Sequence, residues 1–207
     1  VNVASNIKTI IFDLGGVIMD LSLDHTFQSF AELSGRDKAH VKERFHNSGF
    51  EDYERGLISD EAFRAFVRET LAIQASDAQL DESWNAMLRG ISKAKLDLLL
   101  NLKNKYSVFL LSNTNNIHLN FVNSAVLPRT GGTNNLDHYF HRAYYSHIMK
   151  MRKPDAEIYE QVLKESRLDP AQTLFLDDNA DNIAGAKSVG IQTVQVISPD
   201  MILEYFK

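Results

Sequence analysis

The chain has 207 residues, of which 44% are hydrophobic and 24% charged, with a formal net charge of −5. Those values belong to a folded globular protein, long enough for one domain with a smaller insertion. The acidic balance argues against nucleic acid or an anionic membrane as partner. The absence of cysteine excludes disulfides, a thiolate nucleophile and thiolate zinc sites.

No signal-peptide pattern opens the chain, so the expected location is cytoplasmic. The first apolar run, IKTIIFD, reads as a buried strand ending at Asp13. Residues 22–88 then change to helical spacing. Leu23, Phe27, Phe30 and Ala31 recur on one face, and so do Phe63, Phe66, Val67 and Leu71 behind a Ser59 N-cap with Asp60 and Glu61. LDESWNAML continues the helical block. Phe27, Phe30, Phe63 and Phe66 sit at core spacing and read as packing between these helices, and Trp84 reads as a core residue.

From Ser92 onward strands and helices alternate. SKAKLDLLLNLKNK is a helix capped by Ser92, YSVFLLSN a strand, and TNNIHLNFV the start of a helix. HRAYYSH is a short strand, KPDAEIYEQVLKESR a helix, and QTLFLDDN a strand. ADNIAGAKSVG is a helix closing at Gly190, and IQTVQVI a strand. NSAVLPRTGGTNNLD reads as a polar surface loop without the lysine of a nucleotide-binding loop. The alternation predicts an α/β fold, a doubly wound parallel sheet with helices on both faces. The expected division is a core of residues 1–20 and 90–207 and a helical cap of residues 21–89.

In open α/β sheets ligands bind at the carboxyl ends of the strands. Three apolar strands here end in polar groups: Asp13, then Ser112 and Asn113, then Asp177 and Asp178. Lys153 precedes Pro154 at the start of the helix leading into the third of these strands. Asp13, Asp178 and a backbone carbonyl offer hard oxygen ligands suited to Mg²⁺, which keeps waters and binds substrate phosphate. Ser112 and the Asn113 amide can donate to a phosphate oxygen, and Lys153 supplies positive charge. An ionised Asp13 can attack phosphorus and form an aspartyl-phosphate that water cleaves.

With these motifs in this order, the chain resembles the haloacid dehalogenase superfamily over nearly its whole length. Asp13 in FDLGGV, Ser112 in LLSN, Lys153 in RKPD and the run FLDDNADN carry the resemblance, and YERGLISDEAF resembles a cap sequence. Within the superfamily, LSNTN, MRKPDAEIY and DDNADNI resemble the bacterial α-D-glucose-1-phosphate phosphatases. The resemblance implies a Rossmann-like core and a small phosphorylated metabolite as substrate. It implies that Asp13 is nucleophile and metal ligand, that Asp178 and the Gly15 carbonyl complete the protein's metal ligands, and that Asp177 and Asn182 support them. Ser112, Asn113 and Lys153 hold phosphate. A plainer role for Asp177 and Asn182 is to cap the helix near Ala180.

Most phosphatases of this superfamily carry an aspartate where Gly15 stands. Glycine keeps the carbonyl and loses the acid–base side chain, whose contribution is typically about 10²–10⁴ in rate. An acidic leaving group such as an anomeric hydroxyl needs less help. Otherwise Asp20, His25 or His46, near the entry to the cap, could substitute, or the domain binds phosphate without turnover. A 2-haloacid dehalogenase also needs no acid, but it does not need Asp178 and a Mg²⁺ site. A phosphosugar mutase needs the missing acid more.

Phe50, Tyr53 and Arg55 in the cap are candidates to face the substrate, with cap packing and surface charge as the competing reading. His138 and His141, one helical turn apart beside Asp137, read as solvated or partly packed side chains rather than zinc ligands. Oligomeric state has no signature in the sequence.

Overall fold

The computed structural model describes residues 3–45 and 49–207. Five parallel strands form the central sheet: β1 (Thr9–Phe12), β4 (Ser107–Ser112), β5 (Arg142–Tyr145), β6 (Thr173–Asp177) and β7 (Gln192–Gln195), in the order β5-β4-β1-β6-β7. β1 is central and pairs with both β4 and β6, Phe12 lying opposite Leu110 and Leu176. Its residues are all buried, as are Val108–Ser112 of β4 and the whole of β6. Continuous apolar runs are what a sheet covered on both faces requires. The strand reversal about β1 leaves a crevice at the carboxyl edge, where Asp13, Ser112 and Asp177 end neighbouring strands.

Leaving β1, the chain turns tightly and enters a two-stranded antiparallel ribbon, β2 (Asp20–Leu21) with β3 (Leu88–Gly90). Between the two, among the described residues, lie five helices: α1 (Leu23–Ser34), α2 (Lys38–Arg44), α3 (Gly49–Glu54), α4 (Asp60–Leu71) and α5 (Asp77–Asn85). Ser59 caps α4 by accepting the Ala62 N–H, and Ser76 with Gln79 forms a reciprocal capping box on α5. The aromatic spacing builds the cap's interior. Phe50 packs on Phe63 and Phe66 at 5.8 and 5.1 Å between ring centroids, and Phe27 meets Phe45 at 4.9 Å.

Helices α6 (Lys93–Lys103), α7 (Asn116–Phe121), α8 (Leu127–Arg129), α9 (Ser146–Met149), α10 (Ala156–Ser166), α11 (Ala180–Ser188) and α12 (Met201–Tyr205) complete the layers. Ser92 caps α6 as expected. The segment read as a surface loop, NSAVLPRTGGTNNLD, is different. A π-helical turn, Val122–Val126, joins α7 to α8, and Val122, Val126, Leu127 and Leu136 are buried. The apolar residues at i and i+4 outweigh the polar letters between them, and Gly131 at φ +76° follows the helix end. Among the described residues no helix is long and apolar enough to cross a membrane.

Candidate active site

Asp13 follows β1 directly and is only 8% exposed. Its backbone N–H donates to the Leu176 carbonyl at 2.9 Å, which extends the β1–β6 pairing by one residue and fixes the side chain at the sheet's edge. The next turn folds back: Gly16 N–H donates to the Met19 carbonyl, and Leu14 accepts from both Ile18 and Met19. Gly16 has φ +73°, and a methyl group built there would collide with the Asp178 carboxylate. Only glycine lets this turn and Asp178 approach so closely. The sequence reading did not single out Gly16, because the second glycine of GG had no partner to be judged against.

Lys153 is the hinge of the charges. Its Nζ lies 2.7 Å from Asp13 Oδ1 and 2.6 Å from Asp177 Oδ2, and all three groups are buried. Burial works against the Lys153 cation, but the two carboxylates outweigh it and hold its pKa above the ordinary lysine value. Asp13 goes the other way: burial pushes its carboxyl up to about 7, Lys153 opposes this, and Asp177 adds to it. Asp178, at the rim, is also raised, first by burial and then by Asp177.

Asp177 is fully enclosed. Besides Lys153 it accepts from Asn182 Nδ2 at 3.0 Å and from the Asn179 N–H at 2.8 Å. The helix-capping reading of Asp177 and Asn182 is corrected here. Asn179 caps α11 through Oδ1, accepting from Asp181 and Asn182. The Asn182 side chain is thereby free to brace Asp177.

Asn113 and Lys153 form a reciprocal clamp. Asn113 Oδ1 accepts the Lys153 N–H and its Nδ2 donates to the Lys153 carbonyl, both at 2.9 Å. The Asn113 side chain is thus spent on positioning Lys153. Ser112 is 2% exposed, and its hydroxyl has only a 3.5 Å contact to the Asn113 carbonyl, at the outer limit of a hydrogen bond. That leaves its O–H available for a ligand.

Asp13, Asp177 and Asp178 each place a carboxylate oxygen within 4.8 Å of the others. An all-oxygen set with no histidine fits a hard cation such as Mg²⁺ and not zinc. Asp177 already serves Lys153 and two N–H donors, so Asp13 and Asp178 are the carboxylates best placed to hold the ion.

A cavity of about 340 Å³ lies beside this cluster, lined by the chain neighbours of Asp13 and Lys153 rather than by the charged groups themselves. Leu14, Gly15, Ser112, Asn113 and Thr114 form its core side. Phe45, Phe50, Trp84, Met87, Glu51 and Glu54 come from the cap side, and Arg152 and His118 close it. Trp84, expected in the core, is buried yet also forms cavity wall. It stacks on His118 at 4.7 Å and donates from Nε1 to Asn115 Oδ1. Phe50 reaches the cavity, whereas Tyr53 and Arg55 do not. Tyr53 donates to Asp60 at 2.7 Å and stacks on Phe63, and Arg55 pairs with Asp155 at 2.8 Å across the cap–core boundary.

The proposed substitutes for the missing acid lie elsewhere. Asp20 pairs with Lys95 and lines a separate cleft, and His25 is exposed on Ser22. His46 is outside the described residues. His138 and His141 hold no metal group: His141 Nδ1 accepts the Val108 N–H, and His138 lies against Tyr139. The sequence reading passed over Glu54 and Arg152, although each stands next to a residue it did single out.

Comparison with known proteins agrees with this geometry. Residues 7–190 match the model of the haloacid dehalogenase-like hydrolases. The chain is 32% identical over 190 residues to the D-ribitol-5-phosphate phosphatase of Bacteroides thetaiotaomicron, with 91% of each protein covered. A haloacid dehalogenase family enzyme of B. thetaiotaomicron, solved in complex with magnesium and inorganic phosphate, superposes with a TM-score of 0.83. It is 38% identical, covering 91% of this chain and 93% of that one. A predicted hydrolase of the same family from Porphyromonas gingivalis gives 0.83 at 31% identity, covering 94% and 92%. The chain belongs to the haloacid dehalogenase-like hydrolases and is an enzyme of their phosphatase type.

Proposed function

We propose that the protein is a Mg²⁺-dependent phosphomonoester hydrolase that cleaves a small sugar or polyol phosphate through an aspartyl-phosphate on Asp13. The observation that carries this is the cluster at the sheet's carboxyl edge beside the cavity, where a buried carboxylate, a buried lysine and an oxygen-only set of candidate metal ligands stand near a serine hydroxyl held only by a 3.5 Å contact. Residues 1–20 and 90–207 act as the catalytic core and residues 21–89 as the cap that shields it.

Asp13 attacks phosphorus, with Lys153 and Ser112 holding the non-bridging oxygens. Asp13, Asp178 and the Gly15 carbonyl would hold the Mg²⁺, which would supply the charge neutralisation an anionic nucleophile needs to meet an anionic phosphate. Asp177 and Asn182 keep Lys153 in place. The Asn113 clamp sets its backbone. Water then cleaves the acyl-phosphate and regenerates Asp13.

Two substrates frame the range. The relative named for D-ribitol 5-phosphate points to the ester of a primary alcohol, which leaves poorly. The motif resemblance points to α-glucose 1-phosphate, whose anomeric oxygen leaves more easily and suits the missing side chain at Gly15. Phosphate release from D-ribitol 5-phosphate, α-glucose 1-phosphate and glucose 6-phosphate should appear with Mg²⁺, vanish with EDTA, and vanish in Asp13→Asn. Release that persists in Asp13→Asn would defeat the covalent reading. Turnover of 2-haloacids without metal, and of no phosphate ester, would defeat the phosphatase.

A further inference from the structure

An alkyl phosphate expels an alkoxide, and an alkoxide needs a proton. Gly15 supplies none, and Leu21 Cδ1 fills the space that a side chain there would take. Among the described residues, four titratable side chains line the cavity: Glu51, Glu54, His118 and Arg152. A guanidinium is a fork of hydrogen-bond donors and not a general acid. His118 is buried against Asn85 Oδ1 at 2.8 Å, and burial pushes its pKa down to about 3, so it stays neutral. The Glu51 side chain is 60% exposed. The Glu54 side chain, at the C-terminal end of α3, is 26% exposed and is the enclosed carboxyl of the set.

We infer that Glu54 is the general acid and base of this enzyme, delivered to the leaving oxygen from the cap in place of the side chain absent at Gly15. The inference rests on the phosphatase reading above. Glu54 is built for a fixed position. Its backbone carbonyl accepts from Ser146 Oγ at 2.6 Å, and its Oε2 accepts from Arg152 Nη2 at 2.9 Å. Both partners lie on the segment that carries Lys153, so the cap carboxyl and the phosphate-binding lysine are held by one stretch of core.

A second observation points to a ligand beside Glu54. Arg152 Nε is buried and has no hydrogen-bond partner among the described residues. An unmet buried donor is costly, and a substrate oxygen entering this cavity would satisfy it. That oxygen would then lie next to the Glu54 carboxyl, which the same guanidinium holds. Burial also raises the pKa of Glu54, with Arg152 opposing it. A carboxyl raised in this way carries a proton more readily than a free one.

The steps balance. In the first, the Asp13–phosphorus bond forms, the bond from phosphorus to the leaving oxygen breaks, and the Glu54 proton passes to that oxygen. In the second, the Glu54 carboxylate takes a proton from water, the hydroxide oxygen bonds to phosphorus, and the Asp13–phosphorus bond breaks. Glu54 and Asp13 return to their starting states, and the net reaction is hydrolysis.

The test is leaving-group dependence. In a double displacement kcat/KM reports only the first half, so it isolates the acid. Wild type, Glu54→Gln and Glu54→Asp are assayed with Mg²⁺ on aryl and alkyl phosphates of graded leaving-group acidity. Glu54→Gln should lower kcat/KM about 100-fold or more on an alkyl phosphate, less than tenfold on 4-nitrophenyl phosphate, and so steepen the slope. Glu54→Asp, which keeps an acid, should restore part of the slope. Equal losses on all esters would make Glu54 a positioning residue and overturn the assignment, as would an unchanged slope. No phosphate release by the wild type from any ester would instead overturn the phosphatase reading itself.

Discussion

The floor and the roof of this cavity are built on different rules. On the floor, the sheet edge beside the cavity, Asp13, Lys153, Asp177 and Asn182 satisfy one another from the ends of adjacent strands β1 and β6, the first turn of α11 and the segment between α9 and α10. On the roof, Glu54, Phe50 and Trp84 arrive from the cap, Glu54 meeting the core at Arg152 and Ser146 and Trp84 at His118 and Asn115. The floor is a closed set of charges whose members are costly to remove singly. The roof is a set of reaching side chains that can be exchanged with less penalty. Chemistry common to many substrates belongs on the first, and selection among them on the second.

The strongest way to break this contrast is Lys153→Met. It strands two buried carboxylates, and the expected loss is about 3–5 kcal/mol of unfolding free energy, measured by urea unfolding in EDTA. A loss near zero would mean that the floor is not a closed set. Ser146→Ala probes the roof's anchor. Ser146 is fully buried, accepts the Thr114 N–H at 2.9 Å and donates to the Glu54 carbonyl. Leaving these groups unmet should cost about 1–3 kcal/mol, with kcat/KM falling along with stability.

His118, the core residue under Trp84, gives this contact a pH dependence. Its folded pKa of about 3 lies below the ordinary 6.5 because of burial. As pH falls through 6.5 the unfolded chain takes up this proton first, so stability is lost progressively between pH 6.5 and 3. The contribution is at most about 1.4 kcal/mol per pH unit. His118→Gln should flatten the fall in urea midpoint between pH 7 and pH 4.5 relative to wild type. An unchanged slope would place the acid sensitivity elsewhere.

The smallest effect sharpens the boundary between the two regions. Gly15→Asp pushes on Leu21, a residue 42% exposed whose side chain has room to turn away. The cost should be no more than about 1.5 kcal/mol, and Leu21→Ala should recover it. Placed in Glu54→Gln, the new carboxyl should regain part of the rate lost on an alkyl phosphate.

Much of the floor is legible in the sequence because strands make it so. A buried run in an α/β chain has a known polarity, and whatever follows its last apolar residue lies at the ligand edge. Asp13, Ser112 and Asp177 could therefore be grouped before any coordinates, and Lys153 with them. The roof resists this reading. Glu54 and Arg152 are nearly a hundred residues apart and meet only once the cap has folded onto the core. Nothing local in YERG separates Glu54, which reaches the cavity, from Tyr53 and Arg55, which do not; the difference is one of helix phase at the end of a short helix. The misread segment around Val122 and Val126 failed for a related reason. Its two glycines and its proline drew attention away from apolar spacing that only the neighbouring helices could reward.

Trp84 has a consequence beyond packing. It is the sole tryptophan, it lies on the cap, and it stacks face to face on a core histidine at 4.7 Å with the rings 12° apart. The molecule thus carries its own optical gauge. Indole emission, excited with no added label, reads the Trp84–His118 contact between cap and core, and a stopped-flow trace of it against phosphate would show whether that contact changes on binding in the unmodified protein.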